Sequence, residues 1–246
     1  MELTLGTDPR TETLRRLQPL LVQRFGHIRR AAAQGQQHWR EPEWVLVQGV
    51  IGARTRSEVS NAATDRLLTR YGSWEGVAEA PLEALQAELS TQTYPNMAGE
   101  RLKACLTDLI ARRGSVDLSH LTEMDTDDAM KWLEQLPGVG RKIAAGVMNA
   151  STLDRAVLVL DSHHRRILQR MGLVPAKADT ARAYAAIMPA MPPEWSAADY
   201  DEHHLLMKKV GQTWCRPRSL DCENCVVQSL CETWRRETGT ERLAER

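Results

Sequence analysis

The chain has 246 residues, enough to bury a core as one large domain or two small ones. Its 32 basic and 32 acidic residues cancel, which excludes a uniformly basic nucleic-acid coat and leaves a segregated basic face open. Apolar residues at 42% and charged ones at 26% exclude a disordered or fibrous chain.

No apolar run reaches the roughly 18 residues of a membrane span, and Met1 to Asp8 lacks the basic start and apolar core of a secretory signal. The expectation is a cytoplasmic protein, nucleoid-associated if bacterial, with no membrane partner. The first dozen residues and the last ten read as loose ends. Leu14, Leu17, Leu21, Phe25 and Ile28 then recur with helical period, as do Leu102, Cys105, Leu106, Leu109 and Ile110. Breaks at Glu41-Pro42, Tyr71-Gly72, Ala80-Pro81, Tyr94-Pro95, Gly114, Pro137-Gly138, Val174-Pro175 and Pro192-Pro193 divide the chain into about ten short helices. The one β-branched run, Ala156 to Leu160, has no partner strand and reads as a connector, so the fold is all-α. Charge is uneven: Thr13 to Arg40 holds six arginines and no acid, whereas Glu123, Asp125, Asp127, Asp128 and Glu134 crowd one later stretch, expected on a face away from any nucleic acid.

Leu136 to Lys142, LPGVGRK, turns through Pro137-Gly138-Val139-Gly140 and starts a helix at Arg141. Glycines on both sides of Val139 let a backbone approach a phosphate, toward which the first N–H groups of the helix can point. The same residues would also serve as an ordinary helix-helix turn. Lys142 lies in the first helical turn, where the helix dipole and Arg141 disfavour its ammonium form and ease the way to a nucleophilic amine. A solvated surface lysine is the plainer alternative. Further on, Val157 to Leu160 ends at Asp161-Ser162-His163. Asp161 is a good N-cap, a role for which Ser162 competes, and a carboxylate held there could also stabilise a cationic sugar and assist proton transfer.

Cys215, Cys222, Cys225 and Cys231 are separated by six, two and five residues. Four thiolates this close can converge on one metal centre, either zinc or a cubane [4Fe–4S] cluster, and a single Cys-x-x-Cys with longer flanks suits the cubane better. Arg216 and Arg218 lie between the first two cysteines, as a phosphate clamp or as solvated surface charge. Cys105 sits on an apolar stripe and reads as a small core residue.

LPGVGRK, the run into DSH, and Cys-x6-Cys-x2-Cys-x5-Cys together closely resemble the endonuclease III family of helix-hairpin-helix DNA glycosylases, over about residues 42 to 231. The resemblance implies a bilobed all-α fold. One lobe, 42–156, would be a six-helix barrel with the helix-hairpin-helix at about 132–150. The other, 1–41 plus 157–246, would carry a [4Fe–4S] loop at 215–231, with DNA bound in the cleft between lobes. It implies that Lys142 attacks C1′ of a damaged nucleotide and forms a Schiff base, that Asp161 is the essential carboxylate, and that β-elimination cuts 3′ to the abasic site. The cysteine spacing then favours [4Fe–4S] over zinc. Substrates would be oxidised or ring-saturated pyrimidines of the thymine glycol type, flipped out of duplex DNA by a monomeric enzyme. DNA contacts fall to Gly138, Val139, Gly140, Arg141, Arg54, Arg56, Arg216 and Arg218, with Arg165 and Arg166 as further basic candidates.

Departures from the family pattern concern damage reading. Arg54 stands where a gap-filling Gln is usual, and the other wedge loop, Tyr94-Pro95-Asn96-Met97-Ala98, is altered and stiffened by its proline. His163 is a possible pocket residue, and His164 follows it where an apolar residue is common. The interval from Lys142 to Asp161 is one residue longer than usual, with 151–155 as the site of insertion. These departures keep open a second reading, a DNA-binding paralogue with weak or altered activity. In the adenine-mismatch branch a catalytic Glu would stand where this chain has Gly49, which argues against that branch.

Overall fold

Residues 8–28 and 40–238 are described in a computed structural model of the chain. Among them the regular structure is helical, with no strand; Arg40 with Ser151 and Cys215 with Leu220 form isolated bridges only. The chain divides into two compact units, Met1–Gln37 with Ala156–Arg246, and His38–Arg155.

Within His38–Arg155, α2 (Pro42–Ile51) packs against α3 (Ser57–Tyr71), α6 (Pro95–Arg113) and α8 (Arg141–Asn149). The short α4 (Trp74–Glu79) and α5 (Leu82–Glu88) lie on α6, and α7 (Thr126–Leu133) leads into α8. Six helices are expected in this lobe; Ala80-Pro81 splits one stretch, so seven α-helical segments are found. Pro81 cannot donate to the ladder, and it stands as N-cap of α5. Leu46, Leu102, Leu106, Met130 and Leu133 are 0% exposed and form the centre of this core. Burying each such side chain is worth about 1.5–3 kcal/mol. Cys105 is one of these core residues, and burial pushes its thiol up to about 12.

In the other unit, α1 (Pro9–Phe25) packs on α11 (Ala197–Thr213), and α9 (Ser162–Met171) contacts α10 (Thr180–Ile187), α11 and α12 (Glu232–Thr238). The expected loose start through residue 12 ends earlier: Asp8 accepts from the Arg10 N–H at 2.9 Å, Pro9 opens α1, and Thr11 is buried. Residues 1–7 and the expected loose C-terminal tail beyond 238 lie outside the described residues, as do Arg29 and Arg30 of the basic stretch. Val157 to Leu160 is a buried connector without regular structure, leading directly into Asp161.

Candidate active site and cysteine centre

The hairpin is anchored by its own apolar residues. Leu136 and Val139 are buried, and the Val139 N–H donates to the Leu136 carbonyl at 3.1 Å. Gly138 has φ +80°, a conformation that side-chain-bearing residues rarely adopt. Val139 was expected among the DNA contacts, but its side chain belongs to the core, so only its backbone can face a ligand. Gly140 caps α8 without a side-chain bond, and a Cβ there would meet nothing within 4 Å, leaving the helix N-terminus sterically open. Lys142 stands exposed in the first turn of that helix, above the buried Ala144, Ala145, Val147 and Met148.

Arg141 is not a lone basic contact. Its Nε lies 2.7 Å from Glu134 Oε1 and its Nη2 donates to Oε2 at 2.9 Å, so the hairpin carries an acid beside its cation. This corrects the expectation that Glu134 lies on another face: the turn brings the end of α7 back beside the start of α8. Gly49 of α2 is a close-approach point to α8, since a Cβ there would stand 2.8 Å from Ile143 Cγ2. A side chain at this position would require the Ile143 side chain to shift.

Arg54 and Tyr94, predicted as separate wedge positions, are brought together. Arg54 Nη1 donates to Tyr94 Oη at 3.4 Å, and its guanidinium stands 6.0 Å from the ring centre. The two loops are laced by Thr55 and Thr93: the Thr93 N–H donates to Thr55 Oγ1 at 3.0 Å, and Thr93 Oγ1 donates to the Arg54 carbonyl at 3.0 Å. Arg54 itself has φ +57°, a strained backbone worth about 1 kcal/mol or more that this lacing holds in place. Arg56, exposed, is the N-cap residue of α3. The stretch expected as a stiffened loop is instead the first turn of α6: Pro95 takes the first helical position, where its missing N–H costs nothing, so Asn96 and Met97 are helical. Tyr94 and Met97 are 43% and 45% exposed, as large solvent-facing side chains.

Asp161 lies in the other unit, as the N-cap of α9, and takes that role over Ser162: its Oδ1 accepts from the His164 N–H at 2.8 Å. Burial pushes this carboxyl up, but His204, the His164 N–H, His163 and Lys208 outweigh burial and hold it below its ordinary value. His163 is half-buried against Gly211, where a Cβ would come within 2.7 Å of its Cβ, and its Nδ1 lies 3.3 Å from Arg166 Nη2. Arg166, expected as a basic contact, points inward: Nε donates to the Cys215 carbonyl at 2.9 Å, Nη1 to Ser162 and Nη2 to Gly211. Arg165 is half-buried, its Nη1 3.4 Å from Thr180 Oγ1.

All four cysteines of the C-terminal set line one pocket, together with Ile167, Met171, Trp214 and Val227. Burial, with the other three thiols adding to it, pushes Cys225 up to about 11, and Cys222 moves the same way. Without a cation Cys222 and Cys225 favour the neutral thiol; the charge of a metal centre would reverse that. Among the described residues no three His, Cys, Asp or Glu side chains are arranged to hold a single metal ion. Arg216 is exposed with Nε folded back onto the Gln212 carbonyl at 2.9 Å, and Arg218 is exposed beside it.

Several residues that matter here escape a motif reading. Arg170 donates from Nη1 to Cys215 Sγ at 3.1 Å and to the Arg216 carbonyl at 2.9 Å, so α9 carries Asp161 at one end and grips the cysteine loop at the other. Arg166 and Arg170, four residues apart, form a stripe that helical spacing alone could have flagged. His203 and His204 on α11 are buried beside His164, with ring centres 5.1 and 6.1 Å from it.

No protein-family model matches the chain. Among curated proteins, Endonuclease III of Bacillus subtilis (strain 168) is 30% identical over 192 residues, covering 77% of this chain and 80% of that one. Endonuclease III of Thermotoga maritima is 27% identical over 198 residues, covering 80% and 85% respectively. A solved non-covalent Endonuclease III-DNA complex superposes with TM-score 0.70 at 20% identity, covering 93% of this chain and 98% of that one. A thermostable thymine-DNA glycosylase gives TM-score 0.68 at 16% identity, covering 93% of this chain and all of that one, so both structures share the fold. With the hairpin, the capped carboxylate and the four-cysteine loop each found in its element, the chain belongs to the endonuclease III family of DNA glycosylase/lyase enzymes.

Proposed function

We propose that the protein is a bifunctional DNA glycosylase and abasic-site lyase of base excision repair, acting on oxidised or ring-saturated pyrimidines in duplex DNA as a cytoplasmic monomer. The observation that carries this is Lys142, an exposed amine in the first turn of a helix whose N-terminus is sterically open behind a helix-hairpin-helix turn. Its neutral Nζ attacks C1′ of the flipped nucleotide, and the glycosidic bond breaks with its electron pair leaving on the base, which takes up a proton. Asp161, ionised at the N-cap of α9, stabilises positive charge on the sugar and accepts protons from Nζ. Ring opening gives an iminium at C1′. Loss of a C2′ proton then expels the 3′ phosphate, and water releases Lys142.

Cys215, Cys222, Cys225 and Cys231 would hold a [4Fe–4S] cluster, which as a covalent cross-link fixes the loop carrying Arg216 and Arg218. Four sulfurs lining one pocket suit a cubane, and Arg170 Nη1 donates to Cys215 Sγ at its edge. The purified protein is expected to be brown, with about four irons per chain; a colourless protein with stoichiometric zinc would refute the assignment.

A second reading, a DNA-binding paralogue with altered activity, is favoured by one observation, the strained Arg54 tied to Tyr94. A panel of duplex and single-stranded oligonucleotides carrying thymine glycol, other oxidised pyrimidines or an abasic site separates the two, if base release and strand cleavage are scored independently. Release of thymine glycol followed by 3′ nicking is expected. Tight binding of abasic duplex without turnover on any oxidised pyrimidine would establish the paralogue instead.

A further inference from the structure

The first turn of α9 rests on one stripe of α11. His204, Lys208 and Gly211 follow one another at four and three residues and therefore share a helix face. Gly211 fixes where that face points, because a Cβ on it would touch His163 and its carbonyl accepts from Arg166 Nη2 at 3.2 Å. Lys208 thus lies between two residues directed at the end of α9 that bears Asp161. It is half-buried, whereas its neighbour Lys209 is exposed. Withdrawing an ammonium from water is costly unless an anion faces it. Two carboxylates of α11 are engaged elsewhere, Asp199 by the Ser196 cap and Glu202 by His27 at 3.0 Å. Asp161 is the carboxylate on which both His204 and Lys208 act.

We propose that Lys208 is a positioning residue for Asp161, supplying with His204 the countercharge that holds this carboxylate in place at the N-terminus of α9. The proposal rests on the reading of Asp161 as the carboxylate of the reaction. The titratable and charged groups around it are His163, His164 and Arg166 from α9 and His203, His204 and Lys208 from α11. Burial keeps His164 and His203 neutral, and Arg166 is committed to the carbonyls of Ser162, Gly211 and Cys215. Lys208, half-buried two turns beyond Asp201 on α11, is a cation of that helix acting on the carboxylate. Its use is clear once DNA is near, because phosphates favour protonation of a neighbouring carboxylate and an internal ammonium offsets their field.

The test compares the pH profile of single-turnover base release from a thymine glycol duplex for the wild type, Lys208→Met, Lys208→Arg and Lys209→Met. The side-chain carboxyl of Asp161 is titrated in parallel by carbon NMR without DNA. In Lys208→Met both the acidic limb and the Asp161 midpoint are expected to rise by about half to one pH unit. Lys208→Arg should restore most of the shift, and Lys209→Met, which removes the same charge from an exposed site, should move neither. If Lys208→Met behaves like Lys209→Met in both measurements while Asp161→Asn is inactive, the positioning role is overturned and the functional reading stands. Full turnover by Asp161→Asn would instead overturn the reading of Asp161 and the positioning role with it.

Discussion

Lys142→Ala is expected to abolish borohydride-trapped covalent complex with abasic duplex and to reduce base release by about 10³-fold or more, with duplex binding nearly intact. The three outcomes separate because they draw on different atoms. The adduct needs Nζ. Binding draws on the open N-terminus of α8 and the backbone of Gly138 to Gly140, which truncation of an exposed side chain leaves in place. Asp161→Asn complements this test. Asparagine can still accept from the His164 N–H, so α9 keeps its cap while the site loses its charge. A loss of about 10²–10⁴-fold in that variant, measured on protein shown to be folded, would be a loss of chemistry. Adduct formation by Lys142→Ala at the wild-type rate would place the nucleophile elsewhere and sink the mechanism.

Mild acid is expected to destabilise the fold steeply, through the histidines behind Asp161. His164 and His203 are 0% exposed; burial, with neighbouring imidazoles adding to it, holds His203 down to about 3 and His164 well below its ordinary value. Both therefore have folded values below the unfolded one, about 6.5. Between the two values the unfolded chain binds protons that the folded chain refuses, so stability rises with pH there and is lost as pH falls. The limiting slope is about 1.4 kcal/mol per pH unit for each histidine, and the pair together loses about 4 kcal/mol between pH 7 and 5. Asp161 acts in the same direction lower down: its folded value is depressed, so its contribution is complete above the unfolded carboxylate range and disappears as pH falls through the folded value.

His164→Leu isolates the effect better than a change at His203, because the hydrogen-bonding partner of His164 is the Val159 backbone, whereas His203 Nδ1 meets the Gln18 side chain at 2.8 Å. Urea unfolding at pH 7, 6 and 5 should show the variant gaining about 2 kcal/mol relative to wild type between pH 7 and pH 5. Parallel stability curves for the two proteins would show that His164 is not a buried neutral group.

What the sequence determined by itself is carried by short stretches: the breaks that end each helix, the hairpin before Lys142, the cap at Asp161 and the cysteine spacing. Each works through bonds or turns that close within a few residues, so identity and spacing suffice to read it. Even the competition between Asp161 and Ser162 for the cap is local, settled by one N–H three residues on. The zero net charge was legible as a number, but its distribution was not, because the pairing of Arg141 with Glu134 depends on how α7 folds back onto α8.

Only the tertiary structure decided the rest. Arg54 meets Tyr94 forty residues away, Arg170 reaches Cys215 across forty-five, and Gly49 lies close against Ile143 on another helix. The histidines and Lys208 around Asp161 look like an ordinary polar stretch of α11 until packing turns one stripe inward and leaves Lys209 outside. The physical reason is common to all of them. A side chain's charge state and strain depend on what excludes water from it, and that is set by helices distant in sequence that pack against it.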